Sequence, residues 1–314
     1  METILIPSLT PCWSLHVWSY TPKSQPPYPV IVMANGLGCN KLLGLAAYAE
    51  EFSAAGYACL VFDYRRWGAS DGTRRNSVYV SEQQDDYRTV IKFARQQPQY
   101  DPQRVIIWGF SFSGGHVLTL ASEVRFSPCT PMLPSSCFPS PHSTLRPVWL
   151  STRSAGRSFF PFQYTRRNII MFVLGALDFI ADFLHLPPVY IRTVAPPGEI
   201  GAVAAPNAVA GFSSVAKTPS DFPNQIAAST FFRAPLHSKP RQALHLIQCP
   251  LLLIAGMGDR VCLAQPIIET SHMVPTAELF QIPGDHFDFF KGNADWEKAL
   301  GAQLAFLRKH FPVE

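Results

Sequence analysis

Charge is scarce in this 314-residue chain. Asp, Glu, Lys and Arg make up 15 % of it, against roughly a quarter in ordinary domains. No run of Lys or Arg builds the basic stripe that nucleic acid requires, so nucleic acid is not an expected partner. Cysteine is present but unorganised: the seven are odd in number and scattered, with no C-x-x-C or metal-ligand spacing. That excludes a disulfide framework and fits a reducing compartment, so a cytoplasmic setting is expected, with no metal and no cofactor. Cys12, Cys39, Cys59, Cys249 and Cys262 lie in or beside apolar segments and read as small hydrophobes. The N-terminus, Met1-Glu2-Thr3, has no basic region and no long apolar run behind it, so a secretory leader is not expected. The greasiest helix-length stretch, 168–186, carries Asp178 and Asp182 one turn apart. Carboxylates in a bilayer are costly, so the stretch is not read as a membrane span. It reads as an amphipathic lid helix with its apolar face over a site, or as a plain packing helix.

What is present is apolar residues, 47 % of the chain, enough for one large core. The most informative stretch is Val105-Ile106-Ile107-Trp108-Gly109-Phe110-Ser111-Phe112-Ser113-Gly114-Gly115. A β-branched run ends in Gly, a serine follows with Gly109 and Ser113 two residues to either side, and a helix-like segment (116–121) comes next. Strand, sharp turn and helix with a hydroxyl at the apex expose that hydroxyl above a sheet, beside the next backbone N–H. The spelling is Gly-x-Ser-x-Ser rather than Gly-x-Ser-x-Gly, but Ser113 is small enough for the turn. The plain alternative is an ordinary strand-to-helix turn with a capping serine.

A serine needs a base, and the base needs an orienting carboxylate. Both follow in the order Ser, Asp, His. Cys249 through Gly256 reads as a buried parallel strand, with Asp259 just past its carboxyl end. Ala277 through Ile282 reads as the next strand, with His286 on the loop after it. Strand carboxyl ends are where open α/β sheets gather their chemistry. Ser111, His286 and Asp259 are therefore the candidate catalytic groups, for acyl transfer. Asp259 capping a helix near Leu263, or His286 as a structural loop histidine, are the alternatives. Asp285 and Asp288 flank His286 as rival acids, but neighbours in sequence reach the far ring nitrogen poorly. His116 is expected to pack or hydrogen-bond in the helix behind the serine. A working His286 has to be neutral, so the rate is predicted to fall below about pH 6 to 7. An oxyanion would need two N–H donors. Phe112 N–H is one candidate and Leu37 N–H the other, because Pro29 through Ala34 reads as a strand and Asn35-Gly36-Leu37-Gly38 as a glycine-rich turn after it.

These segments together resemble the α/β-hydrolase superfamily over most of the chain. Ala34-Asn35-Gly36-Leu37-Gly38-Cys39-Asn40-Lys41 is similar to the family's His-Gly oxyanion loop, with Asn35 where His is usual. Asp63-Tyr64-Arg65-Arg66-Trp67-Gly68-Ala69-Ser70 resembles its Asp-Tyr-Arg-x-x-Gly-x-Ser loop, and Asp101 through Gly109 its lead-in to the nucleophile. The flavour Trp108-Gly109-Phe110-Ser111-Phe112-Ser113-Gly114-Gly115-His116-Val117, with Pro187-Pro188-Val189-Tyr190 further on, resembles a fungal group of polyketide transferases and thiohydrolases. The resemblance implies an α/β fold with a mostly parallel central sheet, helices on both faces and a helical cap. It also implies release or transfer of a polyketide acyl chain, presented by an acyl carrier protein, in fungal secondary metabolism.

Along the chain, 1–124 and 241–314 form the expected core and 125–240 an irregular insertion and cap. The core opens on an antiparallel pair (3–6 and 14–18). A helix is predicted over 84–96, with Tyr87, Val90, Ile91 and Ala94 on one face, and a last one over 296–310. Residues 125–158 fit poorly, being rich in proline and serine without periodicity. Three readings stay open: a flexible insertion, a diverged strand (148–150) with a long loop, or untranslated sequence carried into the chain, with 160–162 as the family resuming. Three functions also stay open: a thiohydrolase or acyltransferase on a small-molecule acyl substrate, a general carboxylesterase or peptidase, and a non-catalytic binding or assembly protein.

Overall fold

The structure is a computed structural model that describes residues 1–123, 145–147, 166–237 and 240–313. The chain enters by two antiparallel strands, β1 (Glu2–Pro7) and β2 (Ser14–Tyr20), as the alternation of apolar and polar residues predicts. The core then alternates strand and helix: β3 (Tyr28–Ala34), α1 (Leu45–Ala54), β4 (Ala58–Phe62), α2 (Val80–Gln96), β5 (Tyr100–Gly109) and α3 (Phe112–Glu123). Strand β3 pairs in parallel with both β4 and β5, and all seven of its residues are buried. A strand covered on both faces needs apolar residues throughout, which is why it lacks alternation. Helix α2 turns Tyr87, Val90, Ile91 and Ala94 inward, the face expected from its spacing.

A short strand, β6 (Leu145–Pro147), adds in parallel to β5 and completes a sheet ordered β1-β2-β4-β3-β5-β6. The strand expected at 148–150 lies outside the described residues, as does nearly all of 125–158.

The next elements are α4 (Arg166–Phe183), β7 (Tyr190–Val194), β8 (Gly201–Val203), α5 (Ala208–Val215), β9 (Ile226–Ala227) and α6 (Thr230–His237). Strands β8, β7 and β9 form a small sheet of their own. Helix α4 corrects one expectation. Most of its apolar stripe does not look inward: Ile169, Phe172, Val173, Leu177, Ile180 and Phe183 are exposed, whereas Asn168, Met171, Gly175, Asp178 and Ala181 are buried. The two carboxylates decide the orientation. Asp178 is fully buried, paired with Arg74 and bonded by the backbone N–H groups of Val189 (2.8 Å) and Ser229 (2.9 Å). Asp182 pairs with Arg74 and Arg233 and accepts a bond from the Tyr79 hydroxyl at 2.7 Å. Partnered buried charge outweighs the ordinary inward preference of apolar residues here. Among the described residues no helix is long and apolar enough to cross a membrane.

The chain closes with β10 (Leu251–Gly256), α7 (Ala264–Met273), β11 (Ala277–Ile282) and α8 (Trp296–His310). Strands β10 and β11 pair in parallel from Leu251 opposite Ala277 to Gly256 opposite Ile282, so the loops after both open on the same edge.

Candidate active site

Ser111 stands between β5 and α3 with φ of 55°, in the left-handed region that a side chain with Cβ seldom adopts. Such strain is of order 1–3 kcal/mol and persists only where the surroundings fix it. Here they do. Gly109 lies so close behind the turn that a Cβ on it would meet Ser113 Oγ at 2.8 Å. Ser113 in turn is held by Tyr64 (2.8 Å) and Tyr87 (2.7 Å), and the Tyr87 hydroxyl donates to the Trp108 carbonyl at 2.7 Å. Since Tyr87 has one proton and gives it to Trp108, Ser113 donates to Tyr87 and accepts from Tyr64. The second serine of the motif is thus a built part of the turn rather than a tolerated substitute for glycine. Burial pushes both phenols up, which keeps them neutral donors.

His286 lies on the loop after β11, buried between Phe110 and Phe287. Its Nδ1 and Asp259 Oδ2 are 2.7 Å apart. Asp259 is fixed by its other oxygen, which accepts the backbone N–H groups of Val261 (2.8 Å) and Cys262 (2.7 Å). It does not cap α7, whose capping residue, Leu263, makes no side-chain cap bond. The rival acids serve the loop: Asp285 Oδ1 accepts the His286 backbone N–H at 2.7 Å, and Asp288 Oδ2 that of Asp285 at 2.7 Å. His116 is buried and bonded to Gln83 at 2.9 Å. Burial by itself would lower the pKa of His286, but the Asp259 carboxylate, and after it the Cys262 sulfur, raise it from 6.5 to about 10. The expected acid limb therefore moves up in pH.

The glycine-rich turn folds onto the elbow. Asn35 donates to the carbonyls of Asn40 (3.0 Å) and Leu43 (2.8 Å) and accepts the Gly36 N–H at 2.9 Å. Lys41 N–H donates to Asp63 at 2.7 Å, and the buried Lys41 ammonium pairs with the same carboxylate. This ties the turn to the Asp-Tyr-Arg loop. Leu37 and Phe112 both line the pocket that holds Ser111 and His286, about 380 Å³ with its open mouth. Its outer wall includes Val203 of β8 and Phe212 of α5. Of the elements between β6 and β10, those lining this pocket are β8 and α5; α4, whose apolar stripe is expected over the site, contributes none of the lining residues.

The structure brings all five sequence-derived candidates together, and adds one that sequence reasoning set among the core hydrophobes. Cys262 Sγ lies 3.5 Å from Ser111 Oγ, and among the described residues this, not the ring of His286, is the hydrogen-bond partner of that hydroxyl. The available signal was position: Cys262 follows Asp259 by three residues, inside the turn that delivers the carboxylate. One potential ligand atom each of Cys262, Asp259 and His286 lies within 4.8 Å of the others, a spacing that could suit a cation. Asp259, however, already has both oxygens bonded, to two backbone N–H groups and the ring. Cys12, also read as a core hydrophobe, is exposed.

A strained elbow serine, a buried Asp–His pair and a mostly parallel sheet define the α/β-hydrolase superfamily, and the chain belongs to it. It is 32 % identical over 302 residues to the quorum-quenching protein AidA of Acinetobacter baumannii (strain MDR-ZJ06), spanning 94 % of this chain and 91 % of that one. Polyketide transferase af380 of Aspergillus fumigatus is 26 % identical over 288 residues, 90 % of each chain. Thiohydrolase aneE of Aspergillus aculeatus is 38 % identical over 93 residues, 30 % of this chain and 29 % of that one. The sequence signature of X-Pro dipeptidyl-peptidase (S15 family) matches residues 13–127. Among solved structures, the α/β hydrolase GrgF of Penicillium sp. sh18 superposes with a TM-score of 0.77 at 20 % identity, over 99 % of both chains. DcsB, solved with a substrate analogue, gives 0.76 at 18 %, over 98 % of this chain and 99 % of its own. These similarities set the chain among hydrolases and acyltransferases.

Proposed function

We propose that this chain is a serine-dependent acyl hydrolase or acyltransferase, with Ser111 as nucleophile, His286 as base and Asp259 as orienting acid. One observation carries the reading: His286, buried and 2.7 Å from Asp259, lines the same pocket as a serine held at a φ of 55°. Ser111 Oγ leaves Cys262, gives its proton to His286 and attacks a carbonyl. Asp259 holds the imidazole tautomer and stabilises the imidazolium. The N–H groups of Phe112 and Leu37 receive the oxyanion. Collapse expels the leaving group, which takes the proton from His286, and water or an alcohol then releases the acyl chain by the reverse path.

For the substrate, a polyketide acyl thioester presented by a carrier protein is supported by relatives named thiohydrolase, polyketide transferase and acyltransferase. The largely aromatic and aliphatic pocket wall suits an apolar acyl chain. Rates on a thioester and an oxygen ester of the same acid test this. The thioester should turn over faster, and a clear preference for the oxygen ester would point to a general carboxylesterase. A second reading, quorum quenching, has in its favour that the AidA match runs over 94 % of the chain while the aneE match covers 30 %. Loss of signal activity in a bacterial reporter strain exposed to the protein tests that one.

A further inference from the structure

Cys262 is joined to the site in two ways. Its backbone N–H donates to Asp259 Oδ1 at 2.7 Å, so the turn that fixes the acid also fixes where this side chain points. Its sulfur lies 3.5 Å from Ser111 Oγ, a normal length for a hydrogen bond involving sulfur, and beside His286. The residue is buried but lines the pocket mouth together with Ser111 and His286. A nucleophilic oxygen bonded to sulfur is held in place yet not aimed at the ring, and it must exchange one partner for the other before it can react. No other described side chain bonds that oxygen.

We propose that Cys262 is the positioning residue of Ser111: its thiol fixes where the hydroxyl stands in the pocket it shares with His286, and the reactivity of Ser111 depends on that thiol being free. This rests on Ser111 being the nucleophile. The dependence is on the group rather than on bulk. Alanine removes both sulfur and volume, valine keeps much of the volume without the hydrogen bond, and serine restores a polar partner. Capping the thiol removes its S–H and alters the sulfur that Ser111 Oγ is bonded to. With methyl methanethiosulfonate the Cys262 thiolate attacks the sulfenyl sulfur, a new S–S bond forms, the S–SO2 bond breaks, and methanesulfinate leaves with the electron pair. The thiol proton goes to solvent. The other thiol lining the pocket, Cys39, is raised well above its usual pKa by burial and is the slower to react.

The test is the rate at which the full-length chain takes a fluorophosphonate at Ser111, read by mass as a function of pH, for wild type and for Cys262→Ala, Cys262→Val and Cys262→Ser. Ala and Val should label about three- to tenfold more slowly, the worth of one neutral hydrogen bond, with Ser recovering most of the loss. The midpoint of the pH profile should move down in Ala and Val, because the sulfur is removed from a ring whose other charged neighbours are Asp259 and, at the backbone, Asp285. Wild type treated with methyl methanethiosulfonate should lose labelling in step with modification of Cys262, mapped by peptide mass, and regain it with dithiothreitol. That arm needs no variant to fold. Ala and Val labelling at the wild-type rate with an unchanged pH profile, or Cys262-capped protein that still labels, would overturn the role of Cys262. Untreated wild type that takes no label at Ser111 would contradict the nucleophile itself.

Discussion

Gly36 faces Ser111 so closely that a Cβ on it would lie 2.9 Å from the serine Cβ and 3.1 Å from the Phe110 carbonyl oxygen. Those contacts involve the rigid elbow, so the glycine turn would have to withdraw. Gly36→Ala is therefore expected to fold but to lose about a hundredfold in kcat, the usual effect of displacing one oxyanion donor, with KM less affected. Steady-state kinetics beside a circular dichroism melt check it. Normal turnover would place the Leu37 N–H outside the reaction.

The hydroxyl of Ser111 should be indispensable. Ser111→Ala is expected to lower kcat/KM by about a thousandfold or more while leaving substrate binding intact. Near-normal turnover would remove Ser111 from the chemistry.

The pH dependence follows from the Asp259–His286 pair. The folded pKa of His286 is raised above 6.5 to about 10, so the neutral base accumulates only as pH climbs past neutrality. The logarithm of kcat/KM should still be rising between pH 7 and 9. The same shift makes protonated His286 stabilising: that contribution is complete below the unfolded value near 6.5 and is lost as pH rises through the folded value. Asp259→Asn should move the activity limb to lower pH, reduce its plateau by about a thousandfold, and flatten the alkaline fall in thermal stability. A profile that levels off by pH 6.5 in the wild type would contradict this.

Asp178 is the buried anchor of α4. Asp178→Ala takes from Arg74 one of its two carboxylate partners and leaves two backbone N–H groups without their acceptor, and the expected loss is about 3 kcal/mol. Urea denaturation reads it as a lower midpoint at unchanged slope. A shift no larger than that of an exposed Asp would mean the pair does not anchor α4.

The sheet and the three catalytic candidates were legible because their signals are local. Continuous apolar runs at 30–34 and 251–255 mark strands buried on both faces, and Gly109 and Ser113, two residues to either side of Ser111, mark a sharp strand-to-helix turn. Two features were not legible. The facing of α4 depends on Arg74 and Arg233, far from Asp178 and Asp182 in sequence. A helix-by-helix reading therefore saw an apolar stripe and turned it inward. The place of Cys262 depends on how the turn after β10 closes around Asp259. In sequence only its place three residues after Asp259 separates that thiol from a core cysteine such as Cys59, which is fully buried within β4.

The most direct measurement is the intact mass, followed by peptide mapping, of wild-type protein quenched in acid within seconds of mixing with an acyl thioester. One acyl group is expected, carried on Ser111 as an oxygen ester and absent from Ser111→Ala. Turnover of the thioester with the acyl group found on Cys262 or another side chain, or an adduct that persists in Ser111→Ala, would contradict it.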